Sequence, residues 1–208
     1  MPEPRALVGN VAPYLRLLRA HPIFRQVSEA ELKTLVVRGD LLVYQPDEVL
    51  LRQGEPSDSA LLITAGDVDV LVDTAQGQVQ LARLSEGSLI GEIGVFTALP
   101  RTAGVRAHGA VEALLLGSDD LIAAADRSPA VLHAVIAQLG ETVGTFNQAV
   151  AIFTDALAAL ERNELDPAML DALLQPMPEL VNFAHTFRRV VAGLAQRSQH
   201  GGLHSSQS

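Results

Sequence analysis

Between residues 38 and 118 the chain alternates short apolar runs with groups of turn-forming residues. The turns contain Pro46-Asp47, Gly54, Gly66-Asp67 and Gly77, residue types that favour tight changes of chain direction. Short apolar runs bounded by such turns are typical of strands, which are predicted at residues 41–44, 49–51, 61–64, 68–72, 79–84, 104–107 and 110–116. So many short strands at this spacing indicate an antiparallel β-barrel or jelly roll.

Helical spacing replaces the strand pattern on both sides of this segment. Upstream, residues 11–20 and a capping box at residues 28–31 predict two short helices. Downstream, Ser118 is predicted to cap a helix that begins at Leu121, and Ser128-Pro129 places a serine at the N-cap of another helix and a proline at its first position. Strands and helices together predict an α+β fold in which helices flank the barrel.

The last of these helices carries a long apolar seam. Its apolar residues recur at alternating intervals of four and three, which is the spacing of a coiled coil. The seam residues are Leu132, Ile136, Leu139, Val143, Phe146, Val150, Phe153, Leu157 and Leu160. We expect the first two turns to pack on the protein's own barrel. Beyond Phe146 a small barrel leaves little surface to cover, so the seam is predicted to meet its copy in a homodimer.

Residues 161–179 contain Asn163 and three prolines, which interrupt the helical pattern. The four-three spacing then resumes at Leu180, Ala184, Phe187, Val191 and Leu194. Two heptad helices joined by an extended connector resemble a HAMP-like relay, which implies a parallel dimeric four-helix bundle. Pro178 and Val181 depart from that pattern, because the family usually has Asp and Gly there. An αα-hairpin that covers its own core is the alternative.

Four regions follow from these patterns. Residues 1–37 form a helical lead-in, and residues 38–146 form the barrel with the start of the long helix. Residues 147–195 form a helical region for dimerisation and output. The tail, residues 196–208, is rich in Ser, Gln and Gly and is predicted to be disordered.

Composition narrows the classes of function. The 208 residues are 48% hydrophobic but only 4% aromatic, so the core is expected to be aliphatic. The formal net charge of −9 disfavours non-specific binding to nucleic acid or anionic membranes. The chain has no cysteine, which excludes disulfides and thiolate zinc sites. No window approaches the ~18 apolar residues of a membrane span and no signal peptide follows Met1, so a cytoplasmic location is expected.

Catalytic and metal-binding motifs are missing from the sequence. It has no G-x-S-x-G, no P-loop and no H-E-x-x-H, and no two of its six histidines fall on one helical face with a carboxylate between them. We therefore expect no catalytic residue, no metal site and no cofactor.

The chemistry suggestive of a site lies in residues 91–103, between two predicted strands. Arg101 can form a bidentate, charge-assisted pair with a phosphate. Gly91 and Gly94 allow backbone N–H groups to approach the same anion, and a helical turn starting near Glu92 would point its amides toward it. A carboxylate at Glu92 suits a ligand that also donates a hydroxyl, as a ribose does.

The stretch Gly91-Glu92-Ile93-Gly94-Val95, followed after five residues by residues 101–107, resembles the phosphate-binding cassette of cyclic nucleotide-binding domains. That family includes catabolite activator proteins, regulatory subunits of cAMP-dependent kinase and cyclic-nucleotide-gated channels. The resemblance implies that Arg101 holds the cyclic phosphate and Glu92 the ribose 2′-hydroxyl, with Ile93, Gly94, Thr102 and Ala103 completing the cassette. Upstream, residues 50–55 and 61–68 match the family's first block in spacing. Departures at Ser57 and Ala60 concern packing rather than ligand contacts.

The resemblance also implies that the long helix closes over the base. Alignment from Ser128-Pro129 places Phe146 and Asn147 near an adenine edge, where Asn147 could bond the exocyclic amine. Core packing on the seam is the expected role of Phe146. Thr102 can bond a phosphate or a guanine amine, so it does not decide between cAMP and cGMP. We favour cAMP because bacterial-type sensors of this kind mostly use it.

The predicted function is a non-catalytic cyclic nucleotide sensor that couples its ligand to a dimeric helical output, with a further protein partner possible. Two other hypotheses stay open. One is a transcription regulator of the catabolite activator class, acting through a partner because residues 161–208 offer no helix-turn-helix for direct DNA contact. The other is a scaffold that kept the fold without the ligand, against which the presence of both Glu92 and Arg101 argues.

Overall fold

The computed structural model describes residues 5–6, 10–75 and 77–162. Within those ranges the strands are β1 Arg5–Ala6, β2 Asp40–Tyr44, β3 Val49–Leu51, β4 Ser59–Ala65, β5 Val68–Thr74, β6 Gly77–Leu84, β7 Leu89–Ile90, β8 Gly104–Ala107 and β9 Val111–Gly117. The α-helices are α1 Ala12–Ala20, α2 Glu29–Arg38, α3 Glu92–Thr97, α4 Ser118–Arg127 and α5 Pro129–Glu161, with a 3₁₀ turn at Pro22–Phe24. The chain divides into two units, Met1–Gly140 and Glu141–Ser208.

In the first unit the strands form two antiparallel sheets. One sheet has the order β1-β2-β9-β4-β7 and the other has the order β3-β8-β5-β6. The predicted α+β fold, with antiparallel strands flanked by helices, is thereby confirmed. Every predicted strand is present, but β1 and β7 were not predicted because a two-residue strand is too short to show a period of two.

The sequence of strand β4 is apolar without alternation because both faces of the strand are buried. Leu61 and Ile63 contribute to the core between the sheets, whereas Ala60 and Leu62 contribute to a second core under the helices. A strand buried on both faces has no polar face to present. Ala60 is fully buried on the helix side.

The helix termini test the capping predictions. The Ser28 hydroxyl accepts the Glu31 N–H while Glu31 accepts the Ser28 N–H, which confirms the capping box of α2. The predicted helix α4 is present, but its predicted start and cap were wrong, because it begins at Ser118 instead of Leu121 and no side chain caps it. The Ser118 N–H donates to the Asp58 carbonyl at 2.9 Å, so its backbone is already paired where β9 ends. Helix α5 begins at Pro129 as predicted.

The first two turns of α5 pack on the barrel as expected, but the first two seam residues do not make these contacts. Helix α5 packs on the helix-side core through Val131 and Val135, with Leu139 partly buried there. Leu132 and Ile136 are 45% and 65% exposed. Val131 and Val135 precede Leu132 and Ile136 by one residue, so these two seam residues face away from the core.

In the second unit, α5 continues to Glu161, and Val143 and Val150 are 57% and 46% exposed. The predictions of a HAMP-like bundle, a hairpin and a disordered tail concern residues 163–208, which lie outside the described residues. No helix among the described residues combines the length and the apolar character that crossing a membrane requires.

Candidate functional site

A cavity of about 550 Å³ opens in the first unit beside α3. Strands β5, β6, β7 and β8 supply most of its apolar wall, and Gln138 and His21 lie at its edge. The predicted cassette residues Gly91, Glu92, Ile93, Gly94, Arg101, Thr102 and Ala103 all line this cavity. The remaining predicted residue, Asn147, lies in the second unit with an exposed side chain, and its contact with a base stays a prediction.

Two glycines, Gly91 at the N-cap of α3 and Gly94 within it, allow this segment to pack closely. Gly91 caps α3 with a left-handed φ of 84°, and a Cβ atom there would overlap the Arg101 guanidinium. A Cβ atom on Gly94 would overlap the Ser57 side chain. The α3 turn itself was predicted, and these contacts show why only glycine fits at both positions.

Replacing Gly91 with alanine is expected to lower the free energy of unfolding by about 2–5 kcal/mol, because left-handed strain adds to the overlap with Arg101. The matched control is Gly54→Ala, since Gly54 has the same φ of 84° but no described atom within 4 Å of its Cβ position. That control should lose about 1–2 kcal/mol. Urea unfolding of both variants measures the difference, and equal losses would contradict the importance of the close approach.

Arg101 is a buried cation, with 6% of its surface exposed. Its Nη1 donates to the Gly91 carbonyl at 2.9 Å, and its Nη2 donates to Ser59 Oγ at 3.2 Å. Nη2 also lies 3.5 Å from Asp58 Oδ1, on a side chain that is 85% exposed. Burial lowers the pKa of Arg101, and the charge of Asp58 opposes this effect.

Glu92 is a buried carboxylate, also 6% exposed. Its Oε1 accepts a hydrogen bond from Gln138 Nε2 of α5 at 2.5 Å. Burial raises the pKa of Glu92, while hydrogen bonds from its own N–H, from Gln138 and from the Ile93 N–H oppose the rise. A buried acceptor and a buried cation therefore line the same cavity.

A glutamine at Glu92 is expected to stabilise the fold at pH 7. A raised pKa means that the folded state binds more protons than the unfolded state, so stability falls as the pH rises from the unfolded pKa to the folded one. Above both values, each unit of difference costs about 1.4 kcal/mol, and Glu92→Gln removes this cost. Urea unfolding between pH 4 and 8 should show the advantage of the variant shrinking toward acid pH.

The matched control for that titration is Glu86→Gln, which changes an exposed glutamate in a turn. It should leave stability close to that of the wild type at pH 7, because its side chain faces solvent. A Glu92→Gln variant less stable than the wild type at pH 7 would contradict the assigned cause of the pKa shift.

Three residues around the site were not predicted. Asp58 and Ser59 contact Arg101 from the start of β4, and Gln138 contacts Glu92 from α5. A signal for Gln138 exists in the sequence, since it follows the buried Val135 by three residues and so lies on the barrel-facing side of α5.

The described part of the chain contains no cluster of three or more His, Cys, Asp or Glu side chains that could hold a metal ion. His21 lines the cavity, and its Nδ1 accepts the Ile23 N–H at 3.4 Å. Burial lowers the pKa of His21, and the charge of Arg25 adds to the effect.

Comparison with known proteins gives consistent matches. Residues 41–128 match the family model of the cyclic nucleotide-binding domain. The cAMP-dependent protein kinase regulatory subunit of Mycosarcoma maydis is 31% identical over 101 residues, which cover 49% of this chain and 19% of that protein. The chain thus spans about a fifth of the length of this relative.

Two solved structures are similar in fold. The regulatory domain of Toxoplasma gondii PKA with cAMP gives a TM-score of 0.54 at 19% identity, covering 57% of this chain and 46% of that one. The sensor domain of the transcriptional regulator DNR from Pseudomonas aeruginosa gives 0.59 at 20% identity, covering 64% and 92%. At these identities the likeness establishes the fold alone.

Proposed function

Because the chain belongs, through residues 41–128, to the cyclic nucleotide-binding domain family, we propose that it is a non-catalytic sensor of cAMP. The observation that carries this proposal is that Arg101 and Glu92 are both buried and both line the same cavity. A cyclic nucleotide has a complementary pair of groups, an anionic phosphate and a ribose hydroxyl. The volume of about 550 Å³ falls within the range of small-molecule sites.

In this proposal Arg101 binds the cyclic phosphate and Glu92 accepts the 2′-hydroxyl. The Arg101 donors lie beside Gly91 at the start of α3, where backbone can approach a ligand closely. Thr102 has an exposed side chain beside Arg101 in the sequence, so its hydroxyl is available to a phosphate or to a base.

The choice of cAMP rests on similarity. The fungal relative is named for cAMP dependence, and the Toxoplasma structure holds cAMP. No side chain described in the cavity requires a guanine.

The proposed output is a homodimer formed through α5. Leu132 and Ile136 of the first unit and Val143 and Val150 of the second are exposed, and they occupy positions of one heptad seam. Ligand binding would act on this seam only if cAMP has different affinities for two arrangements of the helix. In this proposal a further protein partner binds the dimer and responds to the change in its helices.

Isothermal titration of purified, nucleotide-free protein with cAMP and, separately, with cGMP tests the proposal. We expect micromolar or tighter binding of cAMP and weaker binding of cGMP. Tighter binding of cGMP would overturn the choice of ligand. No heat with either nucleotide would overturn the sensor and favour the scaffold hypothesis, whereas salt-dependent retention on DNA would favour a transcription regulator.

A further inference from the structure

Gln138 is the polar side chain through which α5 reaches the candidate site. Its Nε2 lies 2.5 Å from Glu92 Oε1, and both residues line the cavity within the first unit. Gln138 is half-buried, next to core positions such as Val135 on the same helix. The contact links residues that are 46 positions apart in the chain.

The bonds that hold the Glu92 carboxylate come from two directions. The N–H groups of Glu92 and Ile93 interact with it from the start of α3. These local groups move with the same helix turn and do not tie the carboxylate to another element. Gln138 ties it to α5, and this bond limits the rotamers of a side chain that has three rotatable bonds.

A fixed carboxylate matters because hydroxyl recognition depends on geometry. A hydrogen bond weakens steeply when its angle or distance departs from the optimum. A buried acceptor left without its hydroxyl partner also costs free energy, which is the basis of selection against a ligand that lacks the hydroxyl.

We propose that Gln138 is a positioning residue, which holds the Glu92 carboxylate from α5 in the orientation that accepts a ribose 2′-hydroxyl. This inference rests on the proposed function. It deepens that function by assigning ribose selection to a pair of residues, one from the cassette and one from the long helix.

Among the described residues, two other titratable groups line the same cavity, Arg101 from the loop after α3 and His21 from the lead-in. The charge of Arg101 favours the ionised form of Glu92. Neither Arg101 nor His21 donates the amide hydrogen bond that Gln138 gives to Glu92. Both residues therefore keep their native side chains in the variants tested below.

The test compares the wild type with Gln138→Leu, which keeps much of the side-chain volume and removes the donor. Titration calorimetry with cAMP and with 2′-deoxy-cAMP gives the preference of each protein for the hydroxyl. We expect the wild type to prefer cAMP by about tenfold or more and the variant to lose most of this preference. Affinity for 2′-deoxy-cAMP should change by less than about twofold, since that ligand makes no bond to Glu92.

Two further variants make the result specific. Gln138→Lys retains N–H donors at a similar reach and should restore much of the preference. Gln148→Leu changes an exposed glutamine of the same helix and should behave as the wild type. If Gln138→Leu weakened the affinity for cAMP and for 2′-deoxy-cAMP equally, the role of Gln138 would be purely structural. An unchanged preference for cAMP, or tighter binding of cAMP, would also overturn the proposal.

A measurement without nucleotide separates this inference from the proposed function. Carbon-13 NMR of the Glu92 carboxyl should show titration at a higher pH in Gln138→Leu than in the wild type, because a donor to the ionised form has been removed. An unmoved midpoint would overturn the role of Gln138 even in a protein that binds cAMP. Failure of the wild type to bind either nucleotide would instead overturn the proposed function.

Discussion

Replacing Arg101 with alanine is expected to abolish measurable binding of cAMP. Each hydrogen bond to a charged group contributes about 1.5–3 kcal/mol, so loss of a bidentate contact should weaken binding by about 10²–10⁴-fold. Titration calorimetry measures the affinity directly. The buried position of Arg101 in the cavity wall, beside Gly91, is what makes the expected effect so large.

Stability has to be followed in the same variant. Arg101 also donates to the Gly91 carbonyl and to Ser59, so its removal leaves buried acceptors and should cost about 1–3 kcal/mol of fold stability. Arg101→Lys keeps the charge but loses the fork of donors, and it should bind at an intermediate level.

The matched control for the arginine is Arg106→Ala. Arg106 lies on β8, donates to Gln78, and is not among the residues that line this cavity in the described chain. The control makes the same change in net charge and should bind cAMP as the wild type does. A folded Arg101→Ala variant with wild-type affinity would refute the cassette assignment.

Glutamates at both Val143 and Val150 are expected to convert the proposed dimer into a monomer. Each copy would bring two carboxylates to one apolar seam, where like charges repel and lose hydration. The dimer dissociation constant should rise by about 100-fold or more, which corresponds to about 3 kcal/mol. Sedimentation equilibrium of the wild type and the double variant measures it.

Helix stability should be little affected by this change, because both valines are exposed in the structure of a single chain. The matched control places glutamates at Gln148 and Ala151, which are exposed on α5 but lie off the heptad seam. The control should remain dimeric. A seam variant that still sediments as a dimer would show that the two copies associate elsewhere.

The cassette could be predicted because its residues are close in sequence. Gly91, Glu92 and Arg101 lie within one short loop and helix turn, so chain connectivity alone brings them to one place. Asp58 and Gln138 reach the same groups from far along the chain, and only the sheet order and the packing of α5 bring them there. Local pattern carries no information about such contacts.

The errors at the helices have related causes. The heptad spacing of α5 was detected, but spacing cannot say which of two neighbouring stripes faces the barrel, and the buried residues Val131 and Val135 were not recognised as the core-facing stripe. At Ser118, residue type favoured a cap, but the serine is already the first residue of α4 and Gly117 occupies the N-cap position.

The ion pair of Arg101 with Asp58 also affects the ligand concentration at which the cavity would become occupied. The Asp58 side chain faces solvent and is not among the cavity-lining residues of the described chain. A phosphate that binds Arg101 must share or replace this partner, so its affinity is a difference between two sets of contacts. Salt screens an exposed carboxylate far more than a buried contact. In the proposed sensor, the ligand concentration needed for a response would therefore be adjustable from the surface, by ionic strength or by substitution at Asp58, without changing Arg101 or Glu92.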